Sequence, residues 1–345
     1  MPDPDLPTVF TRAEALAAGL TRHQVERRVA TGAWHQLRRG VYCRDVEMAG
    51  SDAAARHLLQ VRAVLATRAD DALVSHLSAA CVLGWPRPLT GWGPVSLTAA
   101  PGQESRRRDG LVVQAATIRQ VDRWTRSGHP VTSAARTLAD VLRHVPTPEA
   151  VAIADHALRC REVTYEQVAE VLRWQAEWPY ATRAARALLM LDPRRETWLE
   201  SWSVVHLHLQ GLPLPDAQVD VRDDRGRFVG RLDVLWDSGT AGESDGRLKY
   251  DLAGALGALA DPEATADELL SRAQRRFDEQ KRRQDRLAEL GLQVVRWTTA
   301  DVLHDLAGLV KRIERHRVVA ARSPFTGQLH RRTAPPWLAD RWTGT

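Results

Sequence analysis

Between residues 9 and 42, short apolar stretches are interrupted by two polar pairs. Thr11 with Glu14, and Thr21 with Gln24 ten residues later, have the spacing of capping boxes. In such a box a hydroxyl and a carboxyl or amide three residues on satisfy each other's backbone N–H groups. Gly19 lies between the pairs, so two short helices joined by a tight turn are predicted. Val25 and Val29 give the second helix an inner face, and Arg22, His23, Gln24, Arg27 and Arg28 fall mostly on the other side. Trp34-His35-Gln36-Leu37, the basic turn Arg38-Arg39-Gly40, and Val41-Tyr42 then read as a hairpin. Residues 1–50 therefore read as a winged helix-turn-helix, with the hairpin as its wing.

Residues 51–192 mix the helical and the extended period. A helix is predicted over about 53–69 and a second apolar segment over Ala72–Leu83. Strand runs follow at Val95–Thr98 and Leu111–Thr117, with Arg106-Arg107-Arg108 in the turn between them. From 146 to 192 the chain reads as helical throughout, with starts at Thr147-Pro148-Glu149 and Thr164-Tyr165-Glu166-Gln167. Residues 193–320 open on a helix over 194–209, stopped by Gly211-Leu212-Pro213. Strands are predicted at Gln218–Arg222, 227–236 and Glu243–Asp245, then a long basic helix at about 264–290. Gly291 stops that helix, and a buried strand Gln293–Thr298 and a helix over 300–317 complete the segment. Residues 321–345 are polar and proline-rich and are expected to form a flexible tail. The fold class expected is α+β and multidomain.

Composition refines this only slightly. The net charge of +5 and a pI near 9.5 tilt the 345-residue chain toward a polyanionic partner. Lysine occurs only at Lys249, Lys281 and Lys311, so each stands out against an arginine background. Cys43, Cys81 and Cys160 have no disulfide or zinc spacing and read as reduced thiols. A soluble, cytoplasmic protein is expected, since the N-terminus lacks a signal-peptide pattern and no run reaches membrane-spanning length. No segment reads as a dimer helix, and the oligomeric state stays open.

The chemistry concentrates between Gly230 and Tyr250. Asp233 sits in a strand-like apolar run, and Glu243 and Asp245, two apart, share one face of the next strand. Lys249 follows four residues later, and Glu200 lies on the helix before the strands. Carboxylates on paired strands beside a cation suit a metal-dependent phosphodiesterase. In that reading Asp233 and Glu243 hold Mg²⁺, with Asp245 adjacent. Glu200 orients a water or a ligand, and Lys249 steadies phosphate charge. The long helix, including Lys281 and Arg282, grips the DNA backbone. The competing reading is a solvated Glu200, an Asp245-Gly246 turn, and a Lys249–Asp245 pair in a domain that does not cleave. Ser75-His76 suggests nucleophilic chemistry, but no acid and no glycine-framed turn accompanies it. The pair reads instead as a hydrogen-bonded histidine near a helix start.

Two resemblances follow from these motifs. The winged-helix start, Val74-Ser75-His76-Leu77-Ser78-Ala79-Ala80, and the run from Val131-Thr132-Ser133 to Arg136-Thr137-Leu138-Ala139-Asp140 resemble AbiEi-family antitoxins of type IV toxin–antitoxin systems. The likeness covers roughly residues 5–190. It implies a repressor of its own promoter, with a central α/β antitoxin-like domain that counters a nucleotidyltransferase toxin. Residues 193–303, in the order helix-Glu, strand-Asp, strand-Glu-x-Asp-Gly, basic helix and Gly291-Leu292-Gln293-Val294-Val295-Arg296-Trp297, are similar to restriction-endonuclease-like (PD-(D/E)XK) domains related to very-short-patch-repair nucleases. That likeness implies an α/β/α domain with Asp233 and Glu243 as metal acids and Glu200 as the helix acid. The usual lysine position holds Asp245, so Lys249 or Lys281 would supply the cation. Three function classes compete: a DNA-guided nuclease, a non-catalytic repressor and antitoxin, and an interaction protein using its basic faces. Double-stranded DNA is the expected partner in the first two, and no membrane role is expected.

Overall fold

In the computed structural model, which describes residues 5–68, 71–108, 110–237, 239–245 and 266–339, both expected capping boxes form. They start α1 (Arg12–Ala17) and α2 (Arg22–Ala30). Between the helices Gly19 has φ +92°, a left-handed conformation that glycine adopts without steric cost. Strands β1 (Val9–Thr11), β2 (Trp34–Arg38) and β3 (Val41–Arg44) form an antiparallel sheet in the order β1-β3-β2. Phe10, Trp34 and Tyr42 fill its core, with ring centroids between 4.6 and 6.2 Å apart. Three aromatic rings supply most of the apolar area that a unit this small can bury.

After α3 (Asp45–Ala49), the helix α4 (Ala53–Leu65), capped by Asp52, packs against all three strands of the wing sheet. It also packs on α5 (His76–Val82) and β5 (Val95–Ala99). Residues 1–153 with 160–186 consequently form one unit, and the boundary expected at residue 50 is not a division of the structure. Its second sheet has six strands in the order β6-β7-β5-β4-β9-β8. These are β4 (Leu73–Val74), β5, β6 (Arg106–Arg108), β7 (Leu111–Ala115), β8 (Arg123–Arg126) and β9 (His129–Thr132). The β4–β9 and β5–β7 pairs are parallel. Arg106–Arg108 is therefore an edge strand paired with Leu111–Val113, not the turn expected from the sequence. After α6 (Ala134–His144), helices α7 (Thr147–Arg159), α8 (Tyr165–Trp174) and α9 (Ala181–Leu188) occupy the helical stretch expected over 146–192.

Residues 154–159 and 187–345 form the second unit. It contains α10 (Trp198–Leu209), β10 (Asp216–Arg222), β11 (Phe228–Trp236), β12 (Thr240–Ser244), α11 (Ala266–Glu289), β13 (Gln293–Trp297), α12 (Thr299–His304), α13 (Leu306–Ala320), β14 (Gln328–Arg331) and α14 (Pro336–Ala339). The sheet order is β13-β12-β11-β10-β14, with only β12–β13 parallel among the described pairs. Helix α11 packs on β11 and β13, and α13 packs on β12 and β13. Three expectations change here. Helix α10 starts at Trp198 rather than 194, because Asp192 and Arg194 are locked in an ion pair and Thr197 provides the cap. The helix expected over 300–317 breaks at Asp305, whose carboxylate caps α13 by accepting from the Gly308 N–H. The tail expected to be flexible from 321 instead contributes β14, whose backbone pairs with β10. The described residues thus form a mixed α+β structure with three sheets. No described helix is long and apolar enough to cross a membrane.

Candidate functional site

The winged helix keeps most of its expected basic face. Arg22, His23 and Arg27 are exposed on α2, and Arg39 is exposed at the wing turn, where Gly40 has φ +74°. Gln24 is half-buried, and its side-chain carbonyl is occupied by the Thr21 N–H at 2.8 Å. Arg38 is half-buried. Arg28 differs from expectation. It is 8% exposed, and its guanidinium lies 5.4 Å from the Trp34 ring centroid, so it packs beneath the face rather than on it. A long arginine stem covers aromatic surface well, which the helical period alone does not reveal.

In the second unit the acids expected on separate elements do converge. The β11–β12 ladder ends at the Val234–Gly242 pair. Asp233 and Glu243 are the next residues on the two strands. There the Asp233 carboxylate replaces the ladder, accepting from the Ser244 N–H at 2.9 Å and from its hydroxyl at 3.3 Å. Burial, the nearby Glu200 carboxylate and Glu243 together push Asp233 up to about 6. Gly242 lets Trp297 and Val234 pack against the strand here, because a Cβ would lie 2.5 Å from Trp297 Cζ3 and 2.7 Å from Val234 Cγ2. The Asp245 N–H donates to the Trp297 carbonyl at 2.7 Å, extending the parallel pairing by one residue past Ser244.

Glu200 is 3% exposed, and burial raises its pKa. It accepts from the Glu196 N–H at 2.9 Å and from Gln218 Nε2 at 2.8 Å, so the solvated alternative does not hold. Gln218 sits on β10 between the Ala217–Val234 and Val219–Leu232 pairs, across from Asp233. It is buried and has φ +56°, a strained backbone for a residue with a side chain. The sequence offered no sign of this residue except a polar position within an apolar strand.

Glu243 is held by two arginines that the sequence reading assigned elsewhere or not at all. Arg283 of α11 reaches one oxygen at 2.6 Å, and Arg296 of β13 reaches the other at 2.9 Å. Arg296 is the direct parallel-strand neighbour of Glu243, a relation that only strand register sets. Lys281 and Arg282 are exposed on α11. Lys249 lies outside the described residues. With Glu243 drawn to arginines and Glu200 to Gln218, no three His, Cys, Asp or Glu side chains gather as a metal cage among the described residues.

Ser75-His76 is structural. Ser75 is fully buried, and its hydroxyl lies 2.9 Å from His76 Nδ1. Burial lowers the pKa of His76. The motif ending at Asp140 builds a buried ion network. Asp140 binds Arg136 at 2.9 Å and Arg143 at 2.7 Å, and these guanidiniums stack on Trp178. Burial alone would raise Asp140, but His76 and the two arginines hold it below the usual carboxylate range. The Arg136 guanidinium also lies 5.8 Å from the Trp174 ring centroid, so both tryptophans flank this charge.

Two uncharacterized proteins of Mycobacterium tuberculosis are similar to this chain: MT2308 of strain CDC 1551 / Oshkosh and Rv2248 of strain ATCC 25618 / H37Rv. Each is 26% identical over 302 residues, covering 86% of this chain and 97% of its own length. The family model described as transcriptional regulator, AbiEi antitoxin, matches residues 6–44, the span of β1 to β3. Residues 6–44 are thus similar to AbiEi antitoxin-type transcriptional regulators.

Proposed function

We propose that the protein is a transcriptional regulator that binds double-stranded DNA through its winged helix. The observation that carries this reading is the exposed set Arg22, His23 and Arg27 on α2 beside Arg39 of the wing, on a domain of regulator type. Helix α2 enters the major groove, and the wing contacts phosphate. A nucleotidyltransferase toxin is the partner that the antitoxin likeness suggests, and its gene would neighbour this one. Retardation of the chain's own upstream DNA, lost in Arg22→Ala/Arg27→Ala, tests the reading. Equal retardation by wild type and variant would reject it.

A second reading is favoured by Asp233, whose pKa is raised first by burial and then by the nearby Glu200 and Glu243 carboxylates at the opening of a sheet. It makes the second unit a Mg²⁺-dependent endodeoxyribonuclease. Mg²⁺ takes one or two carboxylates and keeps several waters, so Asp233 and Glu243 would hold it once Arg283 or Arg296 releases one of the two Glu243 oxygens. The ion would supply Lewis acidity at phosphate oxygen. Glu200 and Gln218 hold the strand carrying Asp233 in place, Arg283 and Arg296 set the Glu243 carboxylate, and Lys281 and Arg282 meet the DNA backbone. Cleavage of plasmid and short duplex DNA with Mg²⁺ or Mn²⁺, absent in Glu243→Ala, is the expected result. No cleavage with any metal, with DNA binding intact, would leave the regulator reading alone.

A further inference from the structure

A cleft of about 600 Å³ lies within the first unit, between the wing and the edge of the six-stranded sheet. Arg38 of β2, His57 and Gln60 of α4, and Arg107 and Arg108 of β6 are among the residues that line it. None of the described lining residues is acidic. His57 adds no charge near neutrality: burial lowers it to about 4, and its Nε2 is 2.9 Å from the Ser78 hydroxyl. The positive charge comes from arginines. Arg106, Arg107 and Arg108 are all exposed, on a strand that is the last in its sheet.

Charged residues on an edge strand commonly guard against strand addition by another chain. Protection alone does not explain why the wing and the edge strand present arginines to one cleft. Arg38 connects the two surfaces. It lines the cleft and is also the immediate neighbour of Arg39 in the wing turn. A duplex running past the wing meets these arginines next. Their planar, multi-donor heads suit phosphate oxygens.

We propose that this cleft seats the sugar–phosphate backbone of duplex DNA just outside the winged-helix site, so that the central domain lengthens the footprint. The inference rests on the winged helix binding DNA. Each phosphate neutralised steepens the dependence of log K on log salt by about 0.9. For the full-length chain on its own upstream DNA, the slope on a ~30 bp duplex should therefore exceed that on a ~12 bp duplex by about 2. Arg107→Gln/Arg108→Gln should erase that difference and weaken the long duplex by roughly tenfold or more, while the short duplex is bound as before. Arg107→Lys/Arg108→Lys should keep the slope. If the double glutamine variant loses cooperative melting, Arg107→Gln alone, at an exposed position, should lower the slope by about 0.9. Wild-type binding with an unchanged slope in the glutamine variants overturns the cleft proposal and leaves the regulator standing. Wild type that binds neither duplex removes both.

Discussion

Asp233 shows how one side chain reports on its neighbours. Its folded pKa of about 6 lies above its unfolded value of 3.8. Between those values the folded chain holds a proton that the unfolded chain has released. Stability therefore falls as pH rises from about 4 through 6, by on the order of 2–3 kcal/mol from this group. A divalent cation on Asp233 and Glu243 would offset the loss only once the carboxylate is ionised. Mg²⁺ is expected to raise the melting temperature more at pH 7.5 than at pH 5, and Asp233→Asn should flatten both responses. A melting temperature indifferent to Mg²⁺ at pH 7.5 would count against the metal reading, whatever the activity assays give. Arg28 offers a different test. Because it covers Trp34, Arg28→Ala should cost about 1 kcal/mol of stability and change DNA affinity less than Arg27→Ala does. Urea denaturation and gel retardation on the same two variants would separate the roles.

At the scale of elements, local signals were the most legible. The capping boxes at Thr11 and Thr21 and the glycine turn of the wing require only near neighbours, and they formed where the spacing placed them. Pairings between distant segments were not legible. Nothing local marks Arg106–Arg108 as a strand, and β14 lies in a proline-rich tail of the kind that usually stays loose. Strand β14 covers β10 from Val219 to Arg222, and its neighbours Arg331 and Arg332 pair with Asp216 and Glu196. Removing residues 321–345 should expose that edge of β10. Calorimetry should then show a lower transition temperature for the second unit and more aggregation on heating. An unchanged transition would mean that β14 contributes little.

At the scale of the whole molecule, the boundaries of the units differ from those that composition suggests. The last turns of α7, residues 154–159, belong to the second unit. Asp155 there is fully buried and binds Arg195 at 3.0 Å, the Ser201 hydroxyl at 2.7 Å and the Asp192 N–H at 2.7 Å. A fragment beginning at 193 leaves Arg195 buried without its carboxylate. Losing one partner of a buried pair costs about 3–5 kcal/mol. Full-length Asp155→Ala should melt cooperatively at a lower temperature, whereas fragment 193–345 should show no cooperative transition by circular dichroism. A fragment that melts sharply would refute the assignment of 154–159 to this unit.

Residue order alone was enough to specify the capping boxes at Thr11 and Thr21, the wing, most of the helices and the acids Asp233 and Glu243, because these depend on spacing within one or two turns of chain. It also supplied the basic face of α2. Which residues meet was settled by register and packing. Arg296 found Glu243 because β12 and β13 run parallel in one alignment. Arg283 turned inward from a helix that sequence reads as a uniform basic surface. Gln218 took a left-handed backbone across from Asp233, and Arg28 left the exposed basic side of α2 for an aromatic ring. Each of these contacts joins segments whose separation along the chain or orientation is free until the core has formed. Their energies come from burial and charge in three dimensions, which no local pattern encodes.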